Sequence, residues 1–186
     1  MIAEDRVGRT TESAQGAPVP EATCCLDERG AKPGEVYASE TFQPLCGVGH
    51  LVGRVRAELL AALDRELAAE ERLAQLEVTG AQFVIIATLM SDARARCASD
   101  LCKGISYDAG AMTRMIDRLE SKGLLRRERG ADDRRLVFLE LTDQGRELYP
   151  AMREVSRRVQ NQFLRGFTPG EARQLEDFLR RVLANA

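Results

Sequence analysis

The apolar residues of this chain recur at three- and four-residue steps for most of its length, and the rhythm breaks once, at a short charged hairpin. That order predicts a mainly α fold with a small β-hairpin. Leu45, Val48, Leu51 or Val52, Val55, Leu59, Leu63 and Leu67 form the first stripe. They predict a long amphipathic helix that continues through Glu70–Leu76, where Ala, Glu, Arg, Leu and Gln are good helix formers. Thr79 reads as the N-cap of a second helix, with Phe83, Ile86, Ala87 and Met90 on one face. A short third helix follows near Ser99–Gly104, around Leu101. Asp108 caps a fourth, Ala109–Lys122, with Met112, Met115 or Ile116, and Leu119 inward, and Gly123 suits its C-terminal stop. Leu124–Arg129 and Leu136–Leu141 read as two short strands about a turn at Gly130–Asp133. Thr142 caps another long helix, striped by Leu148, Met152, Val155, Val159 and Phe163, in which Pro150 predicts a kink or a loosened turn. Thr168-Pro169-Gly170-Glu171 opens a last helix with a capping box and Pro at its first position; Phe178, Leu179, Val182 and Leu183 are its apolar face.

Residues 1–42 are a different material, with scattered Gly, Pro and charge and no sustained period. They read as a mostly disordered leader with partial ordering near Val36–Phe42. The remaining residues, 43–186, read as a single domain. At 186 residues and 44% hydrophobic, the chain can build one medium core, or an elongated subunit that completes its core by dimerising. A formal charge of −2, from 27 basic and 29 acidic residues, excludes a polycation that coats nucleic acid indiscriminately. The charge is uneven, however: residues 103–135 carry nine basic and six acidic side chains, net +3, whereas residues 1–50 carry four and eight, net −4. With no Trp, stacking platforms for single strands are poorly supplied. No apolar run is long enough to span a membrane and the first residues lack the apolar core of a secretory signal, so the expected location is cytoplasmic. In that compartment the five cysteines are expected to be free thiols. No nucleophile–base pair or Gly-rich phosphate loop points to an enzyme. With His50 the single histidine and Cys24 adjacent to Cys25, neither a metal site nor a cofactor is expected.

Helix, short helix, longer helix and basic hairpin is the order of a winged helix-turn-helix. In that architecture a helix N-terminus enters the major groove of double-stranded DNA, while arginines on the hairpin reach the flanking backbone or minor groove. Asp100–Gly145 resembles the core of the MarR family of bacterial transcriptional regulators. The resemblance rests on Thr113-Arg114, Asp117-Arg118-Leu119-Glu120 and Lys122-Gly123-Leu124 in the recognition helix, and on Asp133, Arg135, Leu141 and Thr142 in the wing. It extends more loosely over residues 45–186. It implies dimerisation helices at 45–76 and 143–186 around a winged helix-turn-helix DNA-binding lobe at 78–142. Residue by residue, it places Ala109, Gly110, Thr113 and Arg114 at the exposed start of the recognition helix. Thr113 donates to phosphate or base, and Arg114 is the best candidate for a guanine or phosphate contact. Arg118 lies one turn deeper and either joins that face or pairs with Asp117 or Glu120. On the wing, Arg135 reaches the minor groove with Asp133 orienting its guanidinium or capping the turn, and Arg127, Arg129 and Arg134 add positive charge for phosphate.

The resemblance further implies a homodimer on a pseudo-palindromic operator, acting as a repressor released by a small aromatic or anionic effector. His50, Arg54 and Arg56 lie where an anionic effector could sit. The alternative is a redox switch. Cys46 resembles the position of the reactive cysteine of the hydroperoxide-sensing branch, without its tyrosines. Cys97 follows Arg94 and Arg96, which favour a thiolate, and Cys102 flanks the same short helix. Otherwise Cys46 and Cys102 are small buried hydrophobes. A third reading, a winged-helix protein-interaction module, makes Arg114 and Arg135 dispensable.

Overall fold

The computed structural model describes residues 33–91, 97–105, 107–129 and 137–186. The described residues fall into two units, one ending at Gly53 and one running Arg54–Ala186. In chain order the elements are α1 (Val48–Ala69), a 3-10 turn (Ala74–Leu76), α2 (Gly80–Ser91), α3 (Ala98–Ile105), α4 (Ala109–Ser121), β1 (Leu125–Arg129), β2 (Val137–Leu141), α5 (Asp143–Phe163) and α6 (Pro169–Ala184). The fold is the expected one, mainly helical with one antiparallel hairpin.

In the first unit, residues 33–47 form turns. Tyr37 and Phe42 pack with ring centroids 5.0 Å apart. The Tyr37 hydroxyl accepts the Val48 N–H at 3.0 Å and so satisfies one of the free amides that open α1. The other part of the expected leader, residues 1–32, lies outside the described residues.

The long first helix is shorter than its propensity predicts. It ends at Ala69, and Glu70–Leu73 form a turn in which the Leu73 N–H donates to the Glu70 carbonyl at 2.8 Å. The reason is tertiary. The turn drives Leu73 into the core at 1% exposure, and burying a leucine is worth about 1.5–3 kcal/mol, more than the helix propensity of the residues passed over. Glu77 then takes a left-handed conformation (φ 47°), which turns the chain into α2. There Thr79 and Gln82 cap reciprocally: the Gln82 N–H donates to Thr79 Oγ1 and the Thr79 N–H to Gln82 Oε1.

The core of the second unit gathers around the inner face of α4. Met112, Ile116 and Leu119, spaced four and three apart, are buried with Ile85, Ile86, Leu101, Leu124, Leu125, Leu139 and Leu141. Ala62, Leu63 and Leu67 of α1 and Met152, Val155 and Val159 of α5 join the same core. α1 meets α2 closely, because the Gly80 N–H donates to Asp64 Oδ1 at 2.5 Å and a Cβ at Gly80 would stand 3.1 Å from the Leu63 side chain. α5 runs through Pro150 as one helix. α6 opens with the expected capping box at Thr168 and Glu171, yet none of its residues is buried.

Candidate nucleic-acid interface

α4 begins where Asp108, in an extended conformation, accepts the Ala111 N–H at 2.8 Å. That cap fixes the helix phase. With Met112, Ile116 and Leu119 facing the core, Ala109, Gly110, Thr113, Arg114, Asp117 and Arg118 are exposed on the opposite face. The recognition-helix candidates therefore share one surface. Gly110 keeps it flat: a Cβ there would stand 3.2 Å from Asp108 Oδ1 and 3.5 Å from Arg114 Nη1. The Thr113 hydroxyl donates to the Ala109 carbonyl at 2.8 Å, so in this rotamer it offers lone pairs to a ligand rather than the expected proton.

The C-terminal end of α4 is pinned from two sides. Lys122 Nζ donates to the Glu77 carbonyl at 2.6 Å and to buried Gln82 Oε1 at 3.2 Å. Burial there lowers the Lys122 pKa, partly opposed by Glu77. Gly123 follows in the left-handed region (φ 69°), as its place at the helix end predicts. Thr142 then joins this end to α5. Its hydroxyl donates to the Gly123 carbonyl at 2.6 Å and accepts the Gly145 N–H at 3.1 Å.

The wing departs from expectation at Arg127. β1 and β2 pair antiparallel in the register Leu125↔Leu141, Arg126↔Glu140, Arg127↔Leu139. Alternation puts Arg127 on the face of buried Leu125, toward α4, not out toward a ligand. There its guanidinium bonds Asp117 Oδ1 at 2.5 Å and Glu120 Oε2, and its own N–H donates to Glu120 Oε1 at 3.3 Å. Hydrogen bonding to Asp117 is the largest cause of its raised pKa. Arg127 is thus engaged in an internal network, where it was expected to stand free as charge for phosphate. Arg118 accordingly does not pair with Asp117 or Glu120, because a partner from the neighbouring strand has taken both. On the other face of β1, Arg126 pairs with Glu128 at 2.9 Å and Glu140 at 3.0 Å. Arg114, Arg118 and Arg129 remain exposed with no acidic partner among the described residues. Lys103 on α3 is also exposed beside this lobe, a cation the sequence reading did not single out. Asp133, Arg134 and Arg135 lie outside the described residues.

Cys97 is half-buried at the start of α3; its thiol donates to Asp100 Oδ2 at 2.7 Å and lies 3.0 Å from Ser99 Oγ. Cys102 is half-buried against the core, and Cys46, also half-buried, lies 3.6 Å from Gln43 Oε1. Cys46 and Cys102, read otherwise as small buried hydrophobes, are each partly buried. His50 is half-buried and Arg54 exposed. Arg56, read as a possible effector contact, sits over the Tyr107 ring at 5.3 Å. No described helix is long and apolar enough to cross a membrane.

A family model described as the MarR family matches residues 78–137, which spans α2 to the start of β2. The multiple antibiotic resistance protein MarR of Escherichia coli (strain K12) is 31% identical over 151 residues, covering 78% of this chain and 96% of that protein. An uncharacterized HTH-type transcriptional regulator of Bacillus subtilis (strain 168), YdgJ, is 37% identical over 98 residues, 53% of this chain and 60% of that protein. Among solved structures, that of Bordetella bronchiseptica BpsR, described as regulated in its DNA binding by 6-hydroxynicotinic acid, superposes with a TM-score of 0.63 at 26% identity, covering 78% of this chain and 98% of that one. A cysteine-to-serine mutant of E. coli MarR in complex with operator DNA superposes with a TM-score of 0.61 at 29% identity, covering 75% and 94%.

Proposed function

The chain belongs to the MarR family, and from that premise we propose that it is a dimeric, sequence-specific DNA-binding repressor whose α4 enters the major groove. One observation carries the reading: the inner face of α4 is sealed into the core while Ala109, Gly110, Thr113, Arg114 and Arg118 stand exposed together, both arginines unpaired among the described residues. A guanidinium so placed is free to bond guanine in a bidentate fork or to clamp a phosphate. Arg129 adds charge from the hairpin, Arg134 and Arg135 extend that role, and Asp133 orients Arg135 or caps the turn in this reading. The complex of an E. coli MarR mutant with operator DNA supports the DNA-binding part of this reading.

A second copy is the proposed cover for the apolar faces this chain leaves bare. On α6, Phe178, Val182 and Leu183 are 50%, 49% and 73% exposed. On α1, Val48, Leu51, Val52 and Val55 are all exposed. Faces of this size on one subunit mark an association surface. Two copies of α4 then meet successive major grooves of a pseudo-palindromic site. Residues 45–76 and 143–186 serve the dimer and 78–142 the DNA in this proposal. The effector we favour is a small aromatic or anionic molecule, supported by the regulation of BpsR by 6-hydroxynicotinic acid. A thiol switch is the weaker reading, because the Cys97 thiol is already engaged with Asp100.

The test is fluorescence anisotropy of the full chain with the promoter duplex beside its own gene, against a scrambled duplex, between 50 and 200 mM salt. The expected result is tighter binding to the promoter and a steep fall with salt, by about 10³ or more for six or so phosphate contacts. Equal affinity for both duplexes, or no binding, rejects the reading and favours a protein-interaction module.

A further inference from the structure

We propose that Arg127 is a positioning residue for DNA reading: it clamps the hairpin to the recognition helix and neutralises two carboxylates on the helix surface, and it does not itself touch phosphate. This rests on the function proposed above and names a part of its machinery.

The strand β1 reads Leu-Arg-Arg-Glu-Arg, so its apolar packing against the lobe stops at Leu125. Beyond that point something polar must hold the outer half of the strand to α4. Among the described residues Arg127 is that link. Its guanidinium spans Asp117 and Glu120, which are three apart and therefore adjacent on the helix surface. Its main-chain N–H reaches the same Glu120 carboxylate, so Glu120 is gripped by side chain and backbone at once. The Arg127 side chain is 32% exposed, the least exposed among the paired arginines of the described residues.

Two consequences follow. The hairpin and α4 move as one body, which fixes where the wing cations stand relative to Arg114. The negative charges of Asp117 and Glu120, on a face that would otherwise repel phosphate, are offset. A lysine cannot replace the clamp, because a point charge on a flexible stem does not bridge two carboxylates as a planar fork does.

The experiment compares the wild-type chain with Arg127→Gln and Arg127→Lys. Anisotropy with the same promoter duplex is read across the same salt range, and amide hydrogen exchange is read on the free proteins. The clamp predicts that both variants weaken binding about three- to tenfold at fixed salt, with the slope of log K against log salt unchanged. It also predicts faster exchange in residues 125–129 and 137–141, with α5 unaffected. A phosphate contact instead predicts a slope smaller by about 0.9 per subunit in Arg127→Gln, and near-normal binding by Arg127→Lys; either result overturns the proposal, as does unchanged affinity in both variants. If the wild-type chain fails to bind the duplex, the DNA-binding reading is what fails. The exchange data then decide the clamp alone, and unchanged hairpin exchange in both variants rejects it.

Discussion

Gly145 is the most tightly confined of the described glycines, and replacing it with alanine tests how α4 is joined to α5. A Cβ built there lies 2.2 Å from the Leu124 carbonyl oxygen and 3.1 Å from its carbon. The obstacle is backbone, so no rotamer change relieves it; the two segments must separate by about 1 Å to restore a normal contact. Overpacking of this kind costs about 1–3 kcal/mol. The separation also stretches the Thr142 N–H bond to the Leu124 carbonyl (3.2 Å) and the Thr142 hydroxyl bond to the Gly123 carbonyl (2.6 Å). Each is worth about 0.5–1.5 kcal/mol. Against this stands a helix-propensity gain of about 1 kcal/mol for Gly→Ala. The net expectation for Gly145→Ala is a loss of about 1–3 kcal/mol, read as a lower urea midpoint at fixed protein concentration. Gly170→Ala is the control, since its Cβ would meet only Thr168 Oγ1, at 3.8 Å; it should be neutral or slightly stabilising. A Gly145→Ala midpoint equal to or above wild type refutes the close approach and the junction built on it.

Leu183→Asp is expected to convert the proposed dimer to monomer, because it places a charge on an α6 face that no described residue of its own subunit covers; sedimentation equilibrium reads the mass, and an unshifted dimer places the interface elsewhere. Glu171 predicts a pH dependence. Its carboxylate accepts from the Thr168 N–H and hydroxyl, which holds its pKa below the ordinary 4.5. A lowered folded value means the cap's contribution is fully present above about pH 4.5 and is lost as pH falls through the folded pKa. The protection factors of the first-turn amides of α6 should fall there in the wild type and stay flat in Glu171→Gln, and identical profiles count against the capping box.

The caps were legible because their chemistry is local. Asp108, Thr142, Thr168 and Gly123 sit where short side chains and a left-handed glycine must sit, and each occupies that place. Long-range burial was not legible. The first helix stops at Ala69 because Leu73 is worth more in the core than in a helix, and nothing near Glu70 announces it. Arg118 illustrates the same limit: its neighbours at 117 and 120 are suitable partners by helix spacing, yet Arg127 from the next strand takes both. That outcome had a signal in the sequence. A period of two from Leu125 places Arg127 on the inner face, and Arg126 on the outer. The glycines at 80 and 145 gave no such sign, since close approach depends on which backbone lies opposite.

The claim on which the account turns is that the exposed face of α4 reads DNA through Arg114. The most direct measurement is the affinity of Arg114→Ala for the promoter and scrambled duplexes at one salt concentration, with thermal unfolding as a check on the fold. A specific base contact is worth about 1–3 kcal/mol, and a dimer carries two. Arg114→Ala should therefore lose about 30-fold or more of its affinity for the promoter, unfold as wild type does, and discriminate little between the two duplexes. Wild-type affinity and discrimination in Arg114→Ala would contradict the account.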